Sequence, residues 1–205
     1  MISLLKHVTR RLSPGLCALV LVVLLAACGG SGSTATTTPT PQPPTPTPTP
    51  AVVMTTYTGT DFSISYPKDW KASPAGTTVA IGDSLNIYNM TITSTPDPGG
   101  AATADQLADG GVTGAKANLK DAQTVTIAPT TTVAGQTWSQ RAVSGTTTVN
   151  GQSVEVELII LTTTHPAAAA TTKGYIIAYG TIKQQLDLAT GIYFMPMLQS
   201  FKFAA

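Results

Sequence analysis

Apolar positions divide the chain into three stretches of different kind. Residues 1–27 carry basic Lys6, Arg10 and Arg11 ahead of an apolar run over 16–25. Residues 29–50 are Gly, Ser, Thr and Pro almost throughout and end in the repeat TPTPTP. From Ala51 onward, apolar residues recur with the periods of regular structure. Phe62, Ile64 and Tyr66 share one face of a strand that Pro67 stops, and Trp70 follows in a turn, placed to fold back over the sheet end. Strands are predicted over 79–81 and 85–95. In the second, Tyr88, Met90 and Ile92 face one way and Ile87, Asn89, Thr91 and Thr93 the other, before the turn cluster at 95–100. Thr103 and Gln106 have capping-box spacing, predicting a helix that turns Leu107, Val112, Ala115 and Leu119 inward. Gly110, Gly111 and Gly114 weaken it, each by about 1 kcal/mol relative to Ala. The clearest supersecondary signal is a hairpin, 137–149 with 152–163, around Asn150-Gly151, a pair suited to a type I′ turn. A strand over 174–182 places Tyr175, Ile177 and Tyr179 on one side. Leu186, Tyr193, Met197 and Phe201 then recur at helical spacing, with a break expected near Gly191 and Pro196.

The apolar run at the start is too short to span a bilayer, which needs roughly 20 apolar residues, and Pro14 and Gly15 interrupt it. It reads as a cleaved export signal. At its end Leu25-Ala26-Ala27-Cys28 resembles the bacterial lipoprotein box. The resemblance implies cleavage between Ala27 and Cys28 and a diacylglyceryl group on Cys28; the alternative is an ordinary secretory cleavage site. Cys17 falls in the discarded segment, so Cys28 is the only mature cysteine and no intramolecular disulfide forms. Two acyl chains, at about 0.8 kcal/mol per buried methylene, hold a protein stably at a membrane. The expected location is extracytoplasmic, anchored to the cell membrane, or to the outer membrane in a host with two, since Gly29 and Gly30 rather than Asp follow the cysteine. The tract 29–50 has no apolar groups to offset ordering entropy and reads as a disordered, extended spacer of about 3.1 Å per residue. Its Thr and Pro also suit O-glycosylation.

About 155 residues remain from Ala51, the size of one domain. Without Lys6, Arg10 and Arg11, eight Lys and Arg stand against ten Asp and Glu, and no basic stripe emerges. Nucleic-acid binding is therefore disfavoured. Surface polarity comes mainly from Thr, Ser, Asn and Gln, a mixture that suits strands.

The segment Asp61-Phe62-Ser63-Ile64-Ser65-Tyr66-Pro67-Lys68-Asp69-Trp70 resembles the opening strand of PsbP-like domains, in which an aromatic strand runs into Pro and then Trp. Val133-Ala134-Gly135-Gln136-Thr137-Trp138 resembles the start of that family's hairpin, and Met197-Leu198-Gln199-Ser200-Phe201-Lys202-Phe203 its closing helix and tail. Together these implicate residues 51–205 as one PsbP-like domain of the α+β class, an antiparallel sheet with helices on both faces (an α/β/α sandwich). The resemblance implies protein or ligand binding rather than catalysis, and fold alone does not fix function.

Candidate chemistry is sparse. Gly82-Asp83-Ser84-Leu85 spells the signature of a hydrolase family in which Ser is the nucleophile, but the partner Asp-x-x-His is missing: His165 is the only histidine after the signal and position 162 is Thr. A serine without its base is not activated. His165 precedes Pro166 and an Ala run, reads as a loop residue, and has no neighbouring Cys, Asp or Glu to make a metal site. Glu155 and Glu157 share a strand face, the expected solvated side of an edge strand. Trp70, Trp138, Tyr175 and Tyr179 are candidates to line a sugar or peptide groove, although aromatics on strands more commonly pack the core. No cofactor or metal motif is present. The expected function is a lipid-anchored, non-catalytic binding or assembly module whose partners are the membrane and a protein or small ligand of the envelope. The alternatives are an extracytoplasmic hydrolase, or a lipid or small-ligand carrier with an apolar cavity between helix and sheet.

Overall fold

A computed structural model describes residues 51–149 and 151–204; the leader, Ala27, Cys28, the tract 29–50 and Asn150 lie outside the described residues. Strands β1 (Met54–Thr58), β2 (Phe62–Pro67) and β11 (Lys202–Phe203) form a small antiparallel sheet with β2 in the middle. Strands β3 (Lys71–Ala75), β4 (Thr78–Gly82), β5 (Asn89–Pro96), β6 (Lys120–Val125), β7 (Thr130–Val133), β8 (Gln136–Val149), β9 (Gln152–His165) and β10 (Lys173–Ile182) form a larger one. Its order is β3-β4-β5-β10-β9-β8-β6, with β7 also pairing β8, and every pairing is antiparallel. The fold is α+β, with helices on both faces of the large sheet.

Register decides what each face carries, because side chains alternate with period two. Val79, Ile92, Ile177 and Leu161 lie in one cross-strand row, and all four are buried. Covering that face are Phe62 and Ile64 from β2, Phe194 and Met197 from the chain's last helical run, and Phe201 just after it, which join them in one core. That run is continuous from Lys183 to Ser200: a 3-10 turn (Lys183–Gln185), α2 (Leu186–Ala189), a π-helical turn (Thr190–Phe194) and α3 (Met195–Ser200). The break expected near Gly191 and Pro196 is thus a change of helical pitch. Pro196 stands where the π-helical turn gives way to α3.

Helix α1 (Ala104–Asn118) covers the opposite face, over β8, β9 and β10. Its capping box forms as expected: Gln106 N–H donates to the Thr103 hydroxyl at 3.1 Å, and Thr103 N–H donates to Gln106 Oε1 at 2.9 Å. Its first turns are fixed to the sheet by side chains. Thr162 Oγ1 donates to Ala104 O at 2.5 Å, Ser139 Oγ donates to Asp105 at 2.9 Å, and Arg141 bridges Asp105 at 2.9 Å and Asp109 at 3.4 Å. Close seating explains Gly111: a Cβ there would stand 2.9 Å from Ile160 Cγ2. Gly110 and Gly114 have nothing within 4 Å of that position. Gly110→Ala and Gly114→Ala are therefore expected to stabilise the domain by about 0.5–1 kcal/mol each in urea unfolding, whereas Gly111→Ala should destabilise it; three equal changes would refute this packing.

Two expectations about strands change. Residues 85–88 do not extend β5, because Asp83 captures that stretch: its carboxylate accepts from the backbone N–H groups of Leu85 (3.1 Å), Ile87 (2.8 Å) and Tyr88 (2.8 Å). Three bonds to one charged acceptor hold a loop that cannot also join the ladder. The strand bearing Glu155 and Glu157 is no edge strand, since β9 lies between β10 and β8, and Glu155 is paired to Lys183 at 2.6 Å.

Candidate functional site

Two concavities lie near opposite ends of β10. At its start, β10 pairs Lys173 with His165 of β9, and the nearby hollow of about 600 Å³ is lined by Asp61, His165, Thr172, Lys173 and Tyr175 among others. Asp61 comes from the β1–β2 turn, and its carboxylate accepts from Lys173 Nζ and, at 2.5 Å, from Ser94 Oγ. The Lys173 hydrogen bond, then that of Ser94, holds the Asp61 carboxyl below its ordinary value against the opposing effect of burial. Such an acid is already satisfied and makes a poor proton acceptor. The Tyr175 hydroxyl donates to Asp61 O at 3.3 Å, and burial raises its pKa. The His165 ring stacks on Phe203 with centroids 3.9 Å apart, and its Nδ1 lies 2.7 Å from Gln136 Nε2.

The depressed Asp61 pKa fixes a pH dependence. Its stabilising contribution is present above the unfolded value, about 3.9, and is lost as pH falls through the lower folded value. Asp61→Asn is expected to cost about 1–3 kcal/mol at pH 7, with the gap from wild type closing below about pH 4. A gap independent of pH would show that the ion pair is not its source.

At the other end of β10 the geometry is different. Because β5 begins only at Asn89, opposite Gly180, residues Thr181 and Ile182 project beyond it while the β8–β9 hairpin runs on. The resulting cavity, about 390 Å³, is bounded by the Asp83-held loop (Leu85, Asn86, Ile87), Asn89, the end of α1 (Leu119), the hairpin (Thr147, Thr148, Val149, Val156, Leu158) and β10 (Thr181, Ile182). Among the described residues no ionisable side chain lines it. Leu85 is 59% exposed beside it.

The four aromatics proposed for a groove do not converge on one. Trp138 is wholly buried, with Nε1 donating to Val133 O at 3.1 Å. Tyr179 packs on Phe194 in the core, and burial pushes its hydroxyl up to about 12. Tyr175 is buried as well but borders the polar hollow. Trp70 is part-buried against Tyr88 and Tyr193, with ring centroids 6.0 and 5.3 Å away. Ser84 sits exposed in the Asp83-held loop. That loop leads to Asn89 beside Gly180, while His165 pairs with Lys173. Seven residues of strand at about 3.3 Å each separate these two ends, so serine and histidine do not meet. Asp61, Lys173, Leu119 and the loop at 85–87 were not read as site residues from the sequence. Among the described residues no three His, Cys, Asp or Glu side chains are grouped to hold a metal, and no helix is long and apolar enough to cross a membrane.

No family model matches the sequence, and no curated protein is similar to it. Solved structures do show similarity. One is a Bacteroides thetaiotaomicron VPI-5482 protein, 10% identical, with a TM-score of 0.42 over 70% of this chain and 45% of that one. Another is LpqN, described as involved in cell envelope biogenesis of Mycobacterium tuberculosis, 14% identical, with a TM-score of 0.44 over 75% of this chain and 92% of that one. The chain spans less than half the length of the Bacteroides protein.

Proposed function

We propose that the protein is an extracytoplasmic lipoprotein, anchored through Cys28, whose domain from Ala51 is a PsbP-like, non-catalytic binding or assembly module. The anchor rests on Leu25-Ala26-Ala27-Cys28 followed directly by a spacer of Gly, Ser, Thr and Pro. The observation that carries the binding role is the cavity at the end of β10, walled by both apolar and uncharged polar side chains from the residue after α1, the hairpin, β10 and a loop. The same cavity favours a second reading, a carrier of a lipid or small ligand, because Leu119 brings the end of the helix to its wall. The hydrolase alternative draws no support from Ser84, whose loop lies a strand's length from His165.

Metabolic labelling with palmitate tests the anchor: the wild-type chain should take label and sediment with membranes, and Cys28→Ser should lose both properties. An unlabelled, soluble wild-type chain would sink it. For the module, the mature protein is used to capture partners from native membranes, with bound proteins and lipids both identified by mass spectrometry. A reproducible partner supports binding; turnover of a hydrolase substrate that is lost on Ser84→Ala would replace it with the enzyme.

A further inference from the structure

The cavity at the end of β10 carries a narrower reading, which rests on the domain being a binding module. We propose that it takes one hydrocarbon chain bearing an uncharged polar end. Leu119, Val156, Leu158 and Ile182 bring apolar surface from helix, hairpin and β10 to one space of about 390 Å³. That is near the small end of ligand pockets, about 300–1,000 Å³, room for one chain and not for several. Among the described residues its polar lining consists of Asn and Thr side chains. A charged head group would lose hydration there and gain no counter-charge, whereas a hydroxyl or amide finds both donors and acceptors. Leu85 offers the entering chain an apolar contact on the solvent side, and the Asp83 carboxylate fixes the loop that presents it. The other large exposed apolar residues, Val53, Leu188 and Met195, do not line this cavity.

The test uses the mature chain from residue 28 carrying Cys28→Ser, so that no attached lipid competes, and the neutral fluorophore N-phenyl-1-naphthylamine as probe. Saturable, one-site enhancement is expected, with dodecanol displacing the probe at least tenfold more effectively than dodecanoate at pH 8. Val156→Phe, which fills the cavity, should abolish binding. Leu85→Asp alters only an exposed residue; it should weaken binding at least fivefold with an unchanged unfolding midpoint, while Leu188→Asp leaves binding intact. Absence of saturable binding, equal displacement by dodecanoate, or full affinity in Leu85→Asp would overturn the proposal. A protein partner captured from membranes alongside any of those results leaves the module reading standing and removes only the hydrocarbon chain. Failure of both experiments removes both.

Discussion

Trp138→Ala is expected to lower the unfolding free energy by about 3–5 kcal/mol, a large share of the roughly 5–15 kcal/mol available to a domain. The indole has no exposed surface, stands edge-on to Phe201 at 5.6 Å and stacks with Phe203 at 6.1 Å. Truncation would leave a void among rigid neighbours and strip the Val133 carbonyl of its donor, two costs that add. Urea unfolding followed by circular dichroism measures it, since the fluorescence of Trp70 remains in the variant. Trp138→Phe should recover part of the loss, by refilling volume without restoring the hydrogen bond. A cost under about 1 kcal/mol would mean that this part of the core collapses freely.

Gly180→Ala is the second large effect. An added Cβ would collide with Glu157 O and stand 2.5 Å from Leu158 Cδ2. Side-chain atoms can move aside, but that carbonyl belongs to the neighbouring strand, and β10 is held between β9 and β5. Overpacking of this kind costs about 1–3 kcal/mol or more. Gly191→Ala, with nothing within 4 Å of its new atom, serves as the comparison. Equal midpoints for the two variants would contradict the close approach of β10 to β9. Because Leu158 also borders the cavity at the end of β10, the Gly180 variant should also weaken the probe binding proposed for it.

Local signals in the sequence were read correctly where one short segment supplied all the information. Asn150-Gly151 flanked by alternating residues marks the hairpin, with Val149 paired to Gln152 and Gly151 at φ +79°. Thr103 and Gln106 mark the start of α1. What escaped is set by partners distant in sequence. Asp61 and Lys173 are 112 positions apart, and neither stands out within its own segment. Trp70 and Trp138 look alike as strand-end aromatics, yet one packs beside a part-exposed aromatic pair and the other at the centre of the core. In the 82–85 stretch Asp83 organises a loop, a role its motif does not announce, and by holding the start of β5 back to Asn89 that loop opens the cavity. β3 and β6 carry too little alternation to declare themselves, and both gain their structure at the rims of the large sheet.

The pairing of β2 with β11 sets an order of events in synthesis. Ser63 and Phe62, near the beginning of the domain, find their last backbone partners in Lys202 and Phe203. Ala204 N–H adds a bond to Asp61 O at 2.9 Å. In synthesis from the N-terminus, the opening strands emerge with one edge unpaired and wait there for β11. The small sheet closes only when residue 203 has emerged, so a growing chain presents an unlatched domain until that late strand is made.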